Sequence, residues 1–113
     1  MRLHFVFTTY IHLMYTTGVS ESLEIDWDEH NESHLALHGI SRSDAEDVLS
    51  GCHILLEFQA EGDEERWIAV GAARTGRILT IVFTIRGEAL RPITGWIADK
   101  STAALYFEEW GQK

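Results

Sequence analysis

The sequence predicts an α+β fold in which two short helices precede a run of antiparallel strands and one helix closes the chain. Three observations predict it. Helix-capping residues are concentrated before residue 52, apolar segments separated by short turns fill the middle, and helical spacing of apolar residues returns near the end. At 113 residues the chain is long enough for one hydrophobic core.

The first strand and the first two helices are marked by alternation and by capping residues. Residues 23–27 alternate weakly and predict a strand. Asp28 is a suitable N-cap for a helix that ends before Gly39, because glycine accepts the left-handed conformation that closes a helix. Residues 41–44 read as a capping box that opens a second helix. The core-facing stripe of this helix is expected to contain Ala45, Val48, Leu49 and Cys52.

Four further strands follow, and turn residues separate them. We expect an antiparallel meander whose helices all cover one face of the sheet. Pro92 has no backbone N–H, which predicts an edge position or a bulge in the last strand. The expected strands are residues 54–58, 66–72, 77–86 and 90–96.

The final helix is expected to run from Asp99 or Ser101 to Trp110. A domain of this size needs large apolar side chains inside, so we expect its tryptophans in the core rather than stacked on nucleic acid bases. The apolar stripe of this helix is predicted to be Ala103, Tyr106, Phe107 and Trp110, and the core tryptophans are predicted to be Trp67, Trp96 and Trp110.

The chain is predicted to divide into an N-terminal extension, residues 1–22, and one domain, residues 23–113. The extension is expected to be disordered or to add a strand. Its residues 3–15 are apolar but too short and too polar to span a bilayer, so no membrane association is expected. Cys52 is the single cysteine, which excludes an intramolecular disulfide and favours a cytoplasmic location.

The charge of the chain is strongly acidic but uneven. A formal net charge of -9 disfavours nonspecific binding to nucleic acid. Residues 66–91 nevertheless contain five arginines and one acidic residue, Glu88. Any anion-binding site is therefore expected in that stretch, and the acidic first half could bind a basic partner. The alternative is that these arginines are scattered over turns and edges.

Several short motifs occur in a characteristic order along the chain. They are Ile25–Asp28, Asn31, His34, His38–Ser41, Asp44–Val48, Glu65–Trp67, Gly71, Leu79–Thr84, Arg91 and Ile93-Thr94. This ordered set resembles the BrnT family of type II toxins, which have a RelE-like ribonuclease fold, and the resemblance covers roughly residues 23 to 110.

This resemblance implies a toxin that cuts RNA and that a cognate antitoxin protein silences. RelE-like toxins use no metal and no cofactor, and the ribose 2′-hydroxyl attacks the adjacent phosphate. Such chemistry needs proton transfer and cations on the phosphorane oxygens. The implied catalytic residues are His38 for proton transfer, Glu65 as a base or as a group that orients its neighbour, and Arg66 and Arg86 as phosphate binders.

The implied substrate-binding residues are His34, Thr84 and Arg91. We further expect His38, Arg66 and Arg86 to line one shared cleft. Without its antitoxin the chain is expected to form a homodimer.

Departures from the family pattern keep a second function open. Residues 94–96 contain no cation where many relatives have an arginine, and Phe83 and Ile85 replace a tyrosine and a glutamate. The last helix contains no arginine and carries Glu108 and Glu109. The alternative is therefore a noncatalytic interaction module that keeps the fold and the antitoxin-binding surface.

Three histidines at positions 30, 34 and 38 share one face of the first predicted helix. Histidines four residues apart can bind zinc, but no HExxH signature is present. We predict no metal site, and expect His34 and His38 to pack and hydrogen-bond at the contact between helix and sheet.

Overall fold

The computed structural model describes residues 24–61 and 64–111 of the chain. The predicted N-terminal extension, residues 1–22, therefore lies outside the described residues, as does residue 23 of the predicted first strand. Of the helices in the described part, none is both long and apolar enough to cross a membrane. The helices are α1 (Glu29–Leu37), α2 (Arg42–Ser50) and α3 (Lys100–Tyr106), which continues into a π-helical turn at Phe107–Gly111.

The strands form one five-stranded sheet in the order β1-β5-β4-β3-β2. Strands β2 to β5 are the predicted antiparallel meander. The first strand pairs with β5 in parallel, with Glu24 beside Ala89, so the sheet is mixed rather than wholly antiparallel. The α+β class is confirmed. The strands are β1 (Glu24–Ile25), β2 (His53–Glu61), β3 (Glu64–Ala72), β4 (Ile78–Arg86) and β5 (Ala89–Ile97).

The ends of α1 and α2 are fixed by the caps that the sequence predicts. The Asp28 side chain accepts a hydrogen bond from the backbone N–H of Asn31, and the Asn31 side chain accepts one from Asp28. Ser41 and Asp44 form the same reciprocal pair at the start of α2. Gly39 has a φ of 78° just after α1, as predicted from the glycine there.

The core lies between the α1–α2 hairpin and one face of the sheet. Leu35 and Ile40 from the hairpin are completely or almost completely buried, as are Ile81 and Phe83 from β4. Gly95 of β5 allows this close contact, because a Cβ built there would lie 3.1 Å from the Cδ1 atom of Ile40 in the hairpin and 2.7 Å from the Thr80 carbonyl oxygen in β4. Any larger residue at this position would force a strand or the hairpin to shift.

The predicted bulge at Pro92 is present. The register between β4 and β5 shifts where Val82 pairs with Thr94 and Phe83 pairs with Pro92. The carbonyl of Pro92 accepts a hydrogen bond of 2.9 Å from the side-chain amide of the buried Asn31. The same amide also donates to the carbonyl of Asp26, so one side chain joins α1, β5 and the segment after β1.

The third helix does not join the other two on one face, as we had predicted. Tyr106 of α3 is buried, but it is not part of the core between the hairpin and the sheet. Val70 and Val82 are also buried outside that core, and strand alternation places them on the opposite face. Both the hairpin and α3 pack against β3. Because the hairpin covers one side of this strand, α3 lies on the second face.

Several side chains predicted to be buried are exposed instead. Cys52 is exposed, because α2 ends at Ser50 and the extended Gly51 takes the chain out of the helical stripe. Trp67 is buried as predicted, whereas Trp96 and Trp110 are 44% and 46% exposed. Phe107 is similarly exposed, since the wider π-helical turn changes the spacing of the stripe.

Candidate functional site

Two predicted phosphate-binding arginines lie on the sheet face opposite the α1–α2 hairpin. In β3, Trp67 and Ala69 point into the hairpin core, so the alternate residue Arg66 points to the other face. In β4, Phe83 belongs to that core, which places Thr84 and Arg86 on the same face as Arg66. We call this surface the arginine face.

The register brings the residues of the arginine face close together. Trp67 pairs with Phe83, so Arg66 lies next to Thr84 across the β3–β4 ladder. Thr84 in turn pairs with Arg91 of β5. The three side chains therefore form a row across three strands at spacings of roughly 5 Å. Arg86 lies two residues beyond Thr84, which is roughly 7 Å along the same face.

Thr84 is buried, and its hydroxyl donates a hydrogen bond of 2.9 Å to the carbonyl oxygen of Glu65. This bond fixes β4 against the start of β3 and therefore fixes the spacing of the arginines on either side. Thr84 was predicted to bind substrate, but its hydroxyl already donates to the Glu65 carbonyl. Its main role is therefore to hold the arginine face in position.

Arg91 is held by two acidic side chains at the edge of the sheet. Its guanidinium lies 2.9 Å from an Asp28 carboxylate oxygen and 3.5 Å from one of Asp26. The Arg91 side chain is only 14% exposed. The backbone N–H of Asn31 and the nearby Arg91 guanidinium both hold the pKa of Asp28 below its ordinary value. Arg91 therefore joins β5 to the start of α1 and adds less positive charge to the face.

Two other arginines of the basic stretch form ion pairs with α2. Arg77 lies 2.6 Å from Asp44, and it also donates to the carbonyl of Gly39. Arg74 lies 3.5 Å from Asp47 and is 92% exposed. The fold thus divides the predicted positive stretch: Arg74 and Arg77 pair with α2, whereas Arg66 and Arg86 lie on the arginine face.

The structure does not bring the predicted proton carriers to this face. Glu65 precedes Arg66 in β3, so its side chain points to the side of the sheet that holds the hairpin. His38 is the C-cap of α1 and is exposed. His38 is next to Gly39, whose carbonyl accepts a hydrogen bond from Arg77, the residue just before β4. Arg86 is the last residue of β4 and so lies at the opposite end of that strand. A strand of this length spans roughly 30 Å.

The expectation of a cleft shared by His38, Arg66 and Arg86 is therefore wrong. His34 precedes His38 by one helical turn and is also exposed on the hairpin. The two histidines are separated from the arginines because they lie on the hairpin, and Glu65 is separated from Arg66 by strand alternation. Within the described ranges no group of three or more His, Cys, Asp or Glu side chains is arranged to hold a metal ion.

Trp96 was predicted to lie in the core, but the structure makes it a candidate ligand-binding residue. Trp96 pairs with Thr80 of β4 and therefore lies on the same side of the sheet as the arginine face. Its partial exposure makes an indole ring available for stacking. Thr80 and Thr84 are separated by roughly 13 Å along β4, so an extended ligand could contact both the ring and the arginines.

The sheet is mixed, with the helical hairpin on one face and with Arg66, Arg86 and α3 on the other, and the family comparison assigns this chain to a class of small ribonuclease toxins. The sequence model described as "Ribonuclease toxin, BrnT, of type II toxin-antitoxin system" matches residues 27–101. The chain belongs to this BrnT family, as its motifs had indicated. Membership implies a cognate antitoxin as a protein partner.

A solved structure agrees with the family assignment. The chain is similar to the Brucella abortus ribonuclease toxin BrnT, whose crystal structure was determined at 1.1 Å resolution. The two share 26% sequence identity, with a TM-score of 0.52, and the match covers 70% of this chain and 100% of that one. No curated protein matches the chain.

Proposed function

We propose that this chain is a metal-independent endoribonuclease whose arginine face binds the phosphate backbone of RNA. The observation that carries the proposal is the placement of Arg66 and Arg86 on one sheet face, in fixed register beside Thr84. Guanidinium groups bind phosphate oxygens through paired hydrogen bonds. Family membership supports RNA as the source of that phosphate.

The proposed reaction is attack of a ribose 2′-hydroxyl on the adjacent phosphorus, with departure of the 5′-oxygen. Arg66 and Arg86 would stabilise the charge that develops on the phosphorane oxygens, which is usually the largest catalytic contribution. His38 and the Glu65 side chain lie away from this face, so they are not assigned to proton transfer here. Since proton transfer typically contributes about 10²–10⁴-fold, we expect cleavage to be slow.

We propose that the antitoxin acts by covering the arginine face. A segment with acidic side chains would complement Arg66 and Arg86 and exclude RNA. Such segments are commonly disordered alone and fold on binding, which allows them to wrap a small partner. We place this interaction in the cytoplasm, where both RNA and a newly made antitoxin are present.

The test is incubation of the purified chain with total RNA, with and without EDTA. Cleavage that persists in EDTA is expected. Arg86→Ala, at an exposed position, should lower the cleavage rate at least tenfold. Arg74→Ala is the matched control, because it removes the same charge from an exposed arginine that pairs with α2. An Arg86→Ala variant as active as the Arg74→Ala control would refute the proposed role of the face.

A second candidate function is favoured by the distance between His38 and the arginines. In this alternative the chain is a noncatalytic module that binds the antitoxin and no longer cuts RNA. Absence of cleavage at every enzyme concentration, together with stable co-purification of the antitoxin, would support it. EDTA-sensitive cleavage would instead contradict the metal-independent reaction.

We also propose that the chain self-associates when its antitoxin is absent. β2 is a nine-residue strand at the edge of the sheet, and such edges pair readily with other strands. Sedimentation analysis at several concentrations should show a dimer that the antitoxin dissociates. A monomer at all concentrations would contradict this proposal.

A further inference from the structure

Two histidines of α1 have no part in the proposed reaction and do not occupy the position predicted for them. His34 and His38 were expected to pack between helix and sheet, but both are exposed. Their imidazole rings approach each other, with centroids 5.5 Å apart and planes tilted by 55°. The pair is thus accessible to a ligand from solvent.

The distance between these rings fits coordination of one metal ion. A tetrahedral ion bound about 2.1 Å from one nitrogen of each ring places the two ring centroids about 5 Å apart. The observed separation exceeds this value by a few tenths of an ångström. Rotation about the side-chain bonds of two exposed residues can remove that difference without moving the backbone. The helical spacing of four residues thus brings the two rings close enough to share one ion.

The electrostatic surroundings favour a cation at this end of the helix. His38 is the C-cap of α1, and the C-terminal end of a helix carries the negative end of the helix dipole. Arg77 binds the carbonyl of Gly39, the residue after His38, but is paired with Asp44 at 2.6 Å. Its positive charge is thereby offset, and the chain as a whole carries a net charge of -9.

We propose that His34 and His38 form a bidentate binding site for a divalent first-row transition metal ion such as Zn²⁺. Water completes the coordination, because the described residues supply no third side-chain ligand at this place. Two imidazole ligands give a site that exchanges its ion readily and that prefers Cu²⁺ and Ni²⁺ to Mn²⁺. The site lies on the hairpin, apart from the arginine face, and the proposed RNA cleavage does not depend on it.

The experiment is calorimetric titration of the full-length chain with ZnCl₂ and, separately, with NiCl₂. We expect one ion per chain at this site, and at least tenfold weaker binding in His34→Ala and in His38→Ala. His30→Ala is the matched control, because it removes an exposed histidine one turn earlier on α1 and should change the affinity less than twofold. All three positions are exposed, so the variants are expected to fold, which circular dichroism can verify.

Two results would overturn the site. One is unchanged affinity in the double variant with both His34 and His38 replaced, which would mean that the ions bind elsewhere. The other is equal weakening by His30→Ala and His34→Ala. Paramagnetic broadening by Ni²⁺ gives an independent readout: NMR signals of residues 34–39 should broaden first in the wild-type chain and remain sharp in the double variant.

Discussion

Replacing Asn31 with alanine should destabilise the fold more than any other polar substitution on α1. The side chain is 4% exposed and takes part in three hydrogen bonds. Its oxygen accepts from the Asp28 backbone N–H at 2.8 Å. Its amide donates to the carbonyls of Asp26 and Pro92, both at 2.9 Å. Alanine removes all three bonds and leaves the buried Pro92 carbonyl without this donor.

The size of the effect follows from these contacts. Each lost hydrogen bond contributes about 1 kcal/mol net, and a polar group left unsatisfied in the interior costs about 1–3 kcal/mol. We therefore expect Asn31→Ala to lower the free energy of unfolding by about 3–4 kcal/mol. With an m-value of about 1–1.5 kcal/mol/M in urea, the unfolding midpoint should fall by about 2–4 M.

Urea unfolding followed by tryptophan fluorescence measures this shift. Ser33→Ala is the control on the same helix, because the exposed Ser33 hydroxyl bonds only to carbonyls of its own helix. Its unfolding free energy should change by less than about 0.5 kcal/mol. If Asn31→Ala matched this control, the idea that one amide joins α1, the segment after β1 and β5 energetically would be wrong.

Three further predictions follow from single positions. The folded state holds the pKa of Asp28 below its ordinary value of 3.8, chiefly through the backbone N–H of Asn31. The ionised Asp28 carboxylate therefore stabilises the fold above pH 3.8, and this stabilisation is lost on acidification below it. The urea midpoint of Asp28→Asn should accordingly vary less with pH than that of the wild-type chain over this acid range. Gly95→Ala should lower the unfolding free energy by about 1–3 kcal/mol in urea, because a Cβ there meets the Thr80 carbonyl; an unchanged midpoint would contradict the close packing. Cys52 should react with Ellman's reagent in the native chain at nearly the rate seen in denaturant, since it is exposed; a slow native reaction would contradict this exposure.

Local signals predicted the elements of the fold well. Asp28 and Ser41 cap the helices where expected, and Pro92 lies at a bulge, because each effect depends on a few neighbouring residues. The parallel pairing of β1 with β5 and the position of α3 on the second face were missed. Both depend on contacts between residues far apart in the sequence, and no local pattern encodes which sheet edge or face remains available.

The candidate site was harder to predict than the fold, for a related reason. Family resemblance implied that Arg66, Arg86 and His38 act together; the two arginines lie on one face of the sheet, whereas His38 lies on the hairpin. Alternation along β3 would have separated Glu65 from Arg66 at the level of sequence. The acidic partners of Arg77 and Arg91 could not have been foreseen, because these pairs join residues 33 and 63 positions apart.

The parallel contact between β1 and β5 has a consequence for synthesis of the chain on the ribosome. Ile25 pairs with Leu90, so the first strand has no partner until β5 has left the exit tunnel. The hairpin can form early from its own caps, whereas completion of the sheet must wait for nearly the whole polypeptide. Truncated products of interrupted translation that end before β5 would therefore lack both this edge and the Asn31 acceptor at Pro92, which makes them targets for proteolysis rather than active protein.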